Sequence, residues 1–275
     1  MIYLLSEDGR RALRALATRS ILYAFDFDGT LAPISPDRDA VKLPYSVSGW
    51  LKELAKRAPC AVVSGRALAD LAPRLNGEIP YLVGNHGIEN PTATPDSLRI
   101  AEGVCLEWKK TFSANVAQSL KDLGVEIEDK RYSLTAHYRG VAEPARVRVA
   151  LLQLLQQLSP PPHVILGKFS VNALPPGQGG KGPAALALMV QLRQNGLFFV
   201  GDDDTDENVF ALPEGLAMGV RVGKQAESRA KFYLKHQGEI EEVIRFLVHR
   251  IDRTPESLHV DDRHSINSKE PANER

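Results

Sequence analysis

YAFDFDGTLAPI, residues 23–34, sets an apolar run against two aspartates, Asp26 and Asp28, one residue apart, and closes them with a Gly-Thr turn. Residues 21–26 have no polar side chain before Asp26 and are too short for a helix. They read as a strand apolar on both faces, the kind found in a parallel sheet covered by helices. Two like charges at the mouth of such a strand cost free energy unless a cation or hydrogen-bond donors receive them. That requirement directs the reading of the rest of the chain.

Working outward, CAVVSGR (60–66), YLVGNHG (81–87) and LFFVGDDD (197–204) repeat the pattern of an apolar run ending in polar residues. Helical periodicity lies between them, at 6–18, 46–57 and from Ala67 onward, so the fold class is α/β. Asp26, Ser64, Asn85 and Asp202 stand at four strand ends, where open α/β sheets bind their ligands. The middle of the chain changes character. A helix near 103–122 is followed by two alternating strands in VEIEDKRYSLTAHYRG, a helix at 143–158, and two strands in HVILGKF and SVNAL. This is an α+β unit with an antiparallel sheet. The expected organisation is a discontinuous core, 1–103 and 175–258, carrying an inserted unit at 104–174. The tail at 259–275 is polar and aperiodic and is expected to be disordered.

Lys and Arg total 34 and Asp and Glu total 34, so no global field draws the chain to nucleic acid or to an anionic membrane. A small-molecule partner and a monomer or dimer are expected. No run approaches the ~20 apolar residues of a membrane span. The N-terminal arginines lack the apolar stretch of a leader, Cys60 and Cys105 share no metal or redox spacing, and a cytoplasmic setting is expected.

The second acidic cluster, GDDDTDENVF (201–210), places Asp202, Asp203, Asp204, Asp206 and Glu207 within six positions of another strand end. Such a density of carboxylates suits a hard cation with oxygen ligands, and Mg²⁺ shared with the Asp26/Asp28 strand satisfies both clusters. An EF-hand is excluded, since the stretch at 26–34 lacks the longer ligand ladder and its closing glutamate. Lys181 lies in a Gly-rich loop, PPGQGGKGP, but Gly182 follows it and the P-loop spacing is not met. Ser64 reads as the N-cap of the helix that follows, a position compatible with phosphate binding.

DFDGT, the serine of SGR, the loop lysine and GDDDTD resemble, in order and spacing, the haloacid dehalogenase (HAD) phosphohydrolases. Finer motifs, DFDGTLAPI, GNHGIE and an ExKxxSxxxHYR pattern matched by Glu128, Lys130, Ser133, His137, Tyr138 and Arg139, resemble the trehalose-6-phosphate phosphatases over residues 22–225. The resemblance implies a Rossmann-like HAD core with a cap of the C2 type. It implies Asp26 as nucleophile, Asp28 as general acid and base, and Ser64 and Lys181 on the phosphoryl oxygens. It also implies Mg²⁺ held by Asp26, the Asp28 carbonyl and Asp202, with Asp203 and Asp206 behind them. Arg66, Asn85 and His86 are candidates for binding near the phosphate, and Glu128, Lys130 and Asn172 for binding the sugar. The chain departs from that pattern at Asn172, where the family's run has a glutamate, and at Leu174, where it has a basic residue. Alternatives are another sugar phosphate (sucrose phosphate or a glycosyl-phosphoglycerate), a non-catalytic phosphoaspartate switch, and a sensor that binds without turnover.

Overall fold

The computed structural model describes residues 1–35, 37–111 and 114–251. The expected disorder of 259–275 lies outside them.

Residues 21–25 become a strand because every side chain in ILYAF finds apolar neighbours, and all five are buried. Alternate residues face opposite layers. Ile21, Tyr23 and Phe25 join one core, Leu22 and Ala24 the other. The strands of this sheet are β1 (Ile2–Tyr3), β2 (Ile21–Phe25), β3 (Cys60–Val63) and β4 (Tyr81–Val83), then β9 (Gly196–Gly201), β10 (Ala217–Val222) and β11 (Phe232–Leu234). Their order is β1-β11-β10-β9-β2-β3-β4, and every pairing is parallel. Helices α1 (Glu7–Leu16), α2 (Tyr45–Ala55), α3 (Leu68–Arg74) and α9 (Ile240–Ile251) cover one face, and α7 (Lys181–Gln191) and α8 (Glu207–Phe210) the other.

Chain order reverses at β2, which has β3 on one side and β9 on the other. A crevice beyond the carboxyl ends is the geometric consequence. Register aims the termini into it: Phe25 lies opposite both Val62 and Val200, so Asp26, Ser64 and Asp202 emerge together.

The second sheet is antiparallel, ordered β5-β6-β8-β7, from β5 (Glu126–Asp129), β6 (Leu134–His137), β7 (His163–Gly167) and β8 (Ser170–Leu174). One face packs with α4 (Pro95–Thr111), α5 (Ala114–Asp122) and α6 (Pro144–Leu155) into a core centred on Trp108, whose Nε1 donates to the Pro160 carbonyl at 2.8 Å. The other face is polar by the period of two. Glu128 lies opposite Thr135, Thr135 opposite Asn172, and His137 opposite Ser170.

The structure differs from expectation in three places. The strands at 60–66, 81–87 and 197–204 stop at Val63, Val83 and Gly201, where the chain leaves the sheet ladder. The helix expected near 103–122 comprises α4 and α5, and α4 runs unbroken across the expected boundary at 103. Strands β1, β10 and β11 were not read from the sequence, since β1 and β11 are two and three residues long and β10 interrupts its apolar run with Gly219 and Arg221.

Phe198 packs edge-on against Phe25 at 6.0 Å and tilted against Tyr23 at 5.9 Å, with no exposure. Phe198→Ala is expected to destabilise the protein by about 3–5 kcal/mol, read as a lower urea midpoint at unchanged slope.

Candidate active site

The crevice deepens into a cleft of about 930 Å³ between the carboxyl ends of the parallel sheet and the polar face of the antiparallel one. Lys181 occupies its floor. The ammonium, 3 % exposed, donates to Asp26 Oδ1 and Asp206 Oδ1, each at 2.7 Å. It gets there because Gly180, at φ 100°, turns the chain into α7 at that residue. Burial alone would lower the Lys181 pKa, but Asp206 and Asp26 override it and hold the group protonated. Burial pushes Asp26 well above the usual carboxylate range, against the pull of Lys181 and with the repulsion of Asp206 and Asp202.

Asp26, Asp202 and Asp206 each offer an oxygen within 4.8 Å of the others. Asp202 Oδ1 is buried and, among the described residues, has no hydrogen-bond partner. Gly29, at φ 83°, makes room for it, since a Cβ there would stand 2.2 Å from Asp202 Oδ2. With all three carboxylates ionised, one ammonium leaves two negative charges; together with the orphaned hard oxygen of Asp202, that donor set fits a divalent cation with oxygen ligands. The Asp28 carboxylate is not in this group. Asp206, expected behind the ligands, lies within this acidic group, while Asp203 acts as a cap: its side chain accepts from Asp204 N, and its own N–H donates to Asp206 Oδ2 at 3.0 Å.

Asp28 is held by Arg66 through both oxygens, at 2.7 Å each. Arg66 lines the cleft as expected, but its edge toward Asp28 is engaged by that carboxylate. Ser64 is 1 % exposed and its Oγ accepts from Arg66 N at 3.2 Å. It does not cap α3. That role falls to Glu89, whose Oε2 accepts from Leu68 N at 2.9 Å, a residue that sequence reasoning passed over as part of GNHGIE.

Asn85 corrects an expectation. It is fully buried and does not border the cleft. Its amide donates to Glu89 Oε2 and to the Lys130 carbonyl, and its oxygen accepts from Ser133 Oγ, so it joins the two sheets. His86, at φ 53°, does border the cleft, packed so closely on Gly65 that a Cβ there would meet its ring at 2.5 Å. Neither ring nitrogen meets the full geometry of a hydrogen bond among the described residues, although Asn172 lies near enough to pull weakly toward the charged ring. Burial, reinforced by Lys130 and Lys181, keeps the imidazole neutral.

On the opposite wall Glu128 Oε2 receives Arg38 at 2.5 Å, His137 Nε2 at 2.8 Å and Lys130 at 3.6 Å, and Lys130 Nζ donates to the Gly65 carbonyl at 2.9 Å. Arg38 was not read from the sequence, where it lies in an aperiodic loop. Arg221 was missed too. It is nearly buried beneath the acidic loop, donating to the Asp203 carbonyl at 3.1 Å and to Glu207 at 2.8 Å. Asn172 borders the cleft with its amide engaged: Oδ1 accepts from Thr135 Oγ1, and Nδ2 donates to the Ile165 carbonyl.

Burial, with Asp206 and Asp203 nearby, pushes Asp202 up to about 7 from 3.8. Between those values the folded chain binds a proton that the unfolded chain has released, so folding stability falls as pH rises through that window. In chelator the melting temperature is expected to drop from pH 5 to pH 8, and magnesium chloride is expected to flatten the drop by compensating the ionised carboxylates. A profile identical with and without magnesium would refute the cation assignment.

The trehalose-phosphatase family model matches residues 24–237. A trehalose-phosphate phosphatase of Mycobacterium tuberculosis is 32% identical over 217 residues, covering 75% of this chain and 55% of that protein. A trehalose 6-phosphate phosphatase of Zea mays is 26% identical over 262 residues, covering 86% and 72%. A solved structure of the Aspergillus fumigatus trehalose-6-phosphate phosphatase superposes with a TM-score of 0.60 at 25% identity, covering 90% of this chain and 99% of that one. The chain thus spans about half the length of the mycobacterial relative that it matches. The match takes in the strand ends and the polar face opposite them, and on it the chain belongs to the trehalose-phosphatase family.

Proposed function

We propose that the protein is a Mg²⁺-dependent phosphatase that hydrolyses trehalose 6-phosphate through a covalent phosphoaspartate. The observation that carries this reading is the buried Lys181 between Asp26 and Asp206, beside the unpartnered oxygen of Asp202. An Asp26 oxygen attacks phosphorus as the bond from phosphorus to the sugar oxygen breaks, and the departing oxygen takes a proton from Asp28, one oxygen of which is released by Arg66 to carry that proton. Asp28 then takes a proton from water, whose oxygen attacks phosphorus and releases inorganic phosphate from Asp26. Lys181 and Ser64 orient the phosphoryl oxygens and offset their charge. Asp26, Asp202 and the Asp28 carbonyl, with Asp206 in reach, would hold the Mg²⁺, which neutralises the phosphoryl group when bound.

The 104–174 unit, with the start of α4, acts as the cap that reads the sugar. Glu128 and Lys130 face the cleft from it, and His86 contributes a ring that borders the cleft with, at most, a weak pull from Asn172 among the described residues. A neutral imidazole can donate one hydrogen bond and accept another, which suits a sugar hydroxyl. Cys60 and Cys105 are free and buried, in keeping with a reducing, cytoplasmic setting. One observation favours a second reading. The Asn172 amide is engaged by Thr135 and Ile165, so the position where the resemblance expects a glutamate offers the sugar little, and a different phosphorylated sugar would fit that wall as well.

Phosphate release from a panel of sugar phosphates separates these readings. Trehalose 6-phosphate is expected to be preferred by at least about tenfold, with turnover lost in chelator and in Asp26→Asn. Preference for another sugar would retain the chemistry and overturn the substrate. Absence of turnover on every substrate would overturn the enzyme reading.

A further inference from the structure

Arg66 is fixed on more than one side. Beyond its two bonds to Asp28, Nη2 also donates to the Arg38 carbonyl at 2.9 Å, and Nη1 donates to Asp70 Oδ2 at 2.6 Å. Asp70 is gripped on its other oxygen by Arg74, whose Nε and Nη2 reach Oδ1 at 3.1 and 2.6 Å. Arg74 is fastened in turn by the carbonyls of Asp39 and Val41, at 3.1 and 2.6 Å from Nη1. Asp70 and Arg74, four apart, share one side of α3, and Arg66 lies just before that helix begins.

Asp70 does not border the cleft; with Arg74 it lines an adjoining recess that shares Asp39 and Val41 with the cleft. Of its two side-chain partners, Arg66 lines the cleft and Arg74 does not. Burial of the Asp70 carboxyl is outweighed by the hydrogen bonds from Arg74 and Arg66, which hold it ionised and below the usual range. The Arg66 side chain is 6 % exposed, whereas that of Asp28 is 38 % exposed and, among the bonds described, is oriented by Arg66. A planar guanidinium that donates two parallel hydrogen bonds to a carboxylate transmits its own orientation to it.

We propose that Asp70 is a positioning residue for proton transfer: by fixing one edge of the Arg66 fork it fixes the direction in which Asp28 faces the leaving-group oxygen. The proposal rests on the reading of Asp28 as general acid. Released from Asp70, Arg66 can swing about its remaining partners and carry Asp28 with it, and misplacement by an ångström at a reacting group is costly.

The readout is leaving-group dependence. An alkoxide needs a proton as it departs, whereas p-nitrophenolate departs without one. The value of kcat/KM for the sugar phosphate turned over fastest is divided by that for p-nitrophenyl phosphate, in wild type, Asp28→Asn and Asp70→Asn, all with magnesium and with melting temperatures recorded. Asp28→Asn should lower the ratio strongly, and Asp70→Asn by about tenfold, within the range of a misaligned general acid. A purely structural role would lower both substrates together and leave the ratio alone. If Asp28→Asn lowers the ratio and a folded Asp70→Asn does not, the positioning proposal is overturned while the acid–base reading stands. If Asp28→Asn itself leaves the ratio unchanged, both are overturned. Should Asp70→Asn fail to fold, Arg74→Gln, which loosens Asp70 without removing it, takes its place with a fall of about threefold expected, and an unchanged ratio there overturns the proposal.

Discussion

The site depends on an ammonium group buried between two carboxylates. Placing Lys181, Asp26 and Asp206 out of water is unfavourable for each alone, and the arrangement stands because each charge is desolvated against an opposite one at hydrogen-bonding distance. Asp202 adds a further negative charge that Lys181 cannot serve. The pocket is therefore an incomplete electrostatic assembly. With its three carboxylates ionised it is two positive charges short, and the shortfall lies at the point where the two central strands present their ends. In the proposed reaction, nucleophile, cation and phosphoryl group would be linked through this imbalance.

Around that centre the two sheets divide the work by geometry. The parallel sheet supplies groups from strand termini, where the backbone leaves the ladder and side chains can converge. The antiparallel sheet supplies them from the middle of its strands, where alternation sends every second residue toward the cleft. Asn85, Lys130 and Gly65 stitch the two together, and Arg38 meets Glu128 at the cleft.

The sequence made legible those parts in which chemistry and local pattern coincide. Asp26, Ser64 and Asp202 each end an apolar run, and register does bring them together. The loop lysine and the alternation of the second sheet were equally readable. What escaped depended on contacts distant in sequence. Asn85 looks like a strand-end ligand until Ser133 and Lys130 are folded against it. Arg38 and Arg221 are ordinary charged residues until a loop and an edge-side strand carry them to Glu128 and Glu207. Glu89 caps a helix that begins 21 positions earlier. The short outer strands carry too few residues for periodicity to register, and their apolar faces are defined only by the neighbours they join.

The alternation of β5, β6 and β8 has a consequence for how such a protein can change. Trp108, Leu134, Ala136, Val171 and Ala173 fill the buried face, while Glu128, Thr135, His137 and Asn172 occupy the other. The backbone keeps the two sets apart, so an exchange on the cleft side disturbs no packing beneath it. Ligand preference and folding stability become separable properties of one small sheet. A single amide at position 172 illustrates the freedom: it hydrogen-bonds sideways along its own sheet, and the hydrophobic layer behind it is left intact.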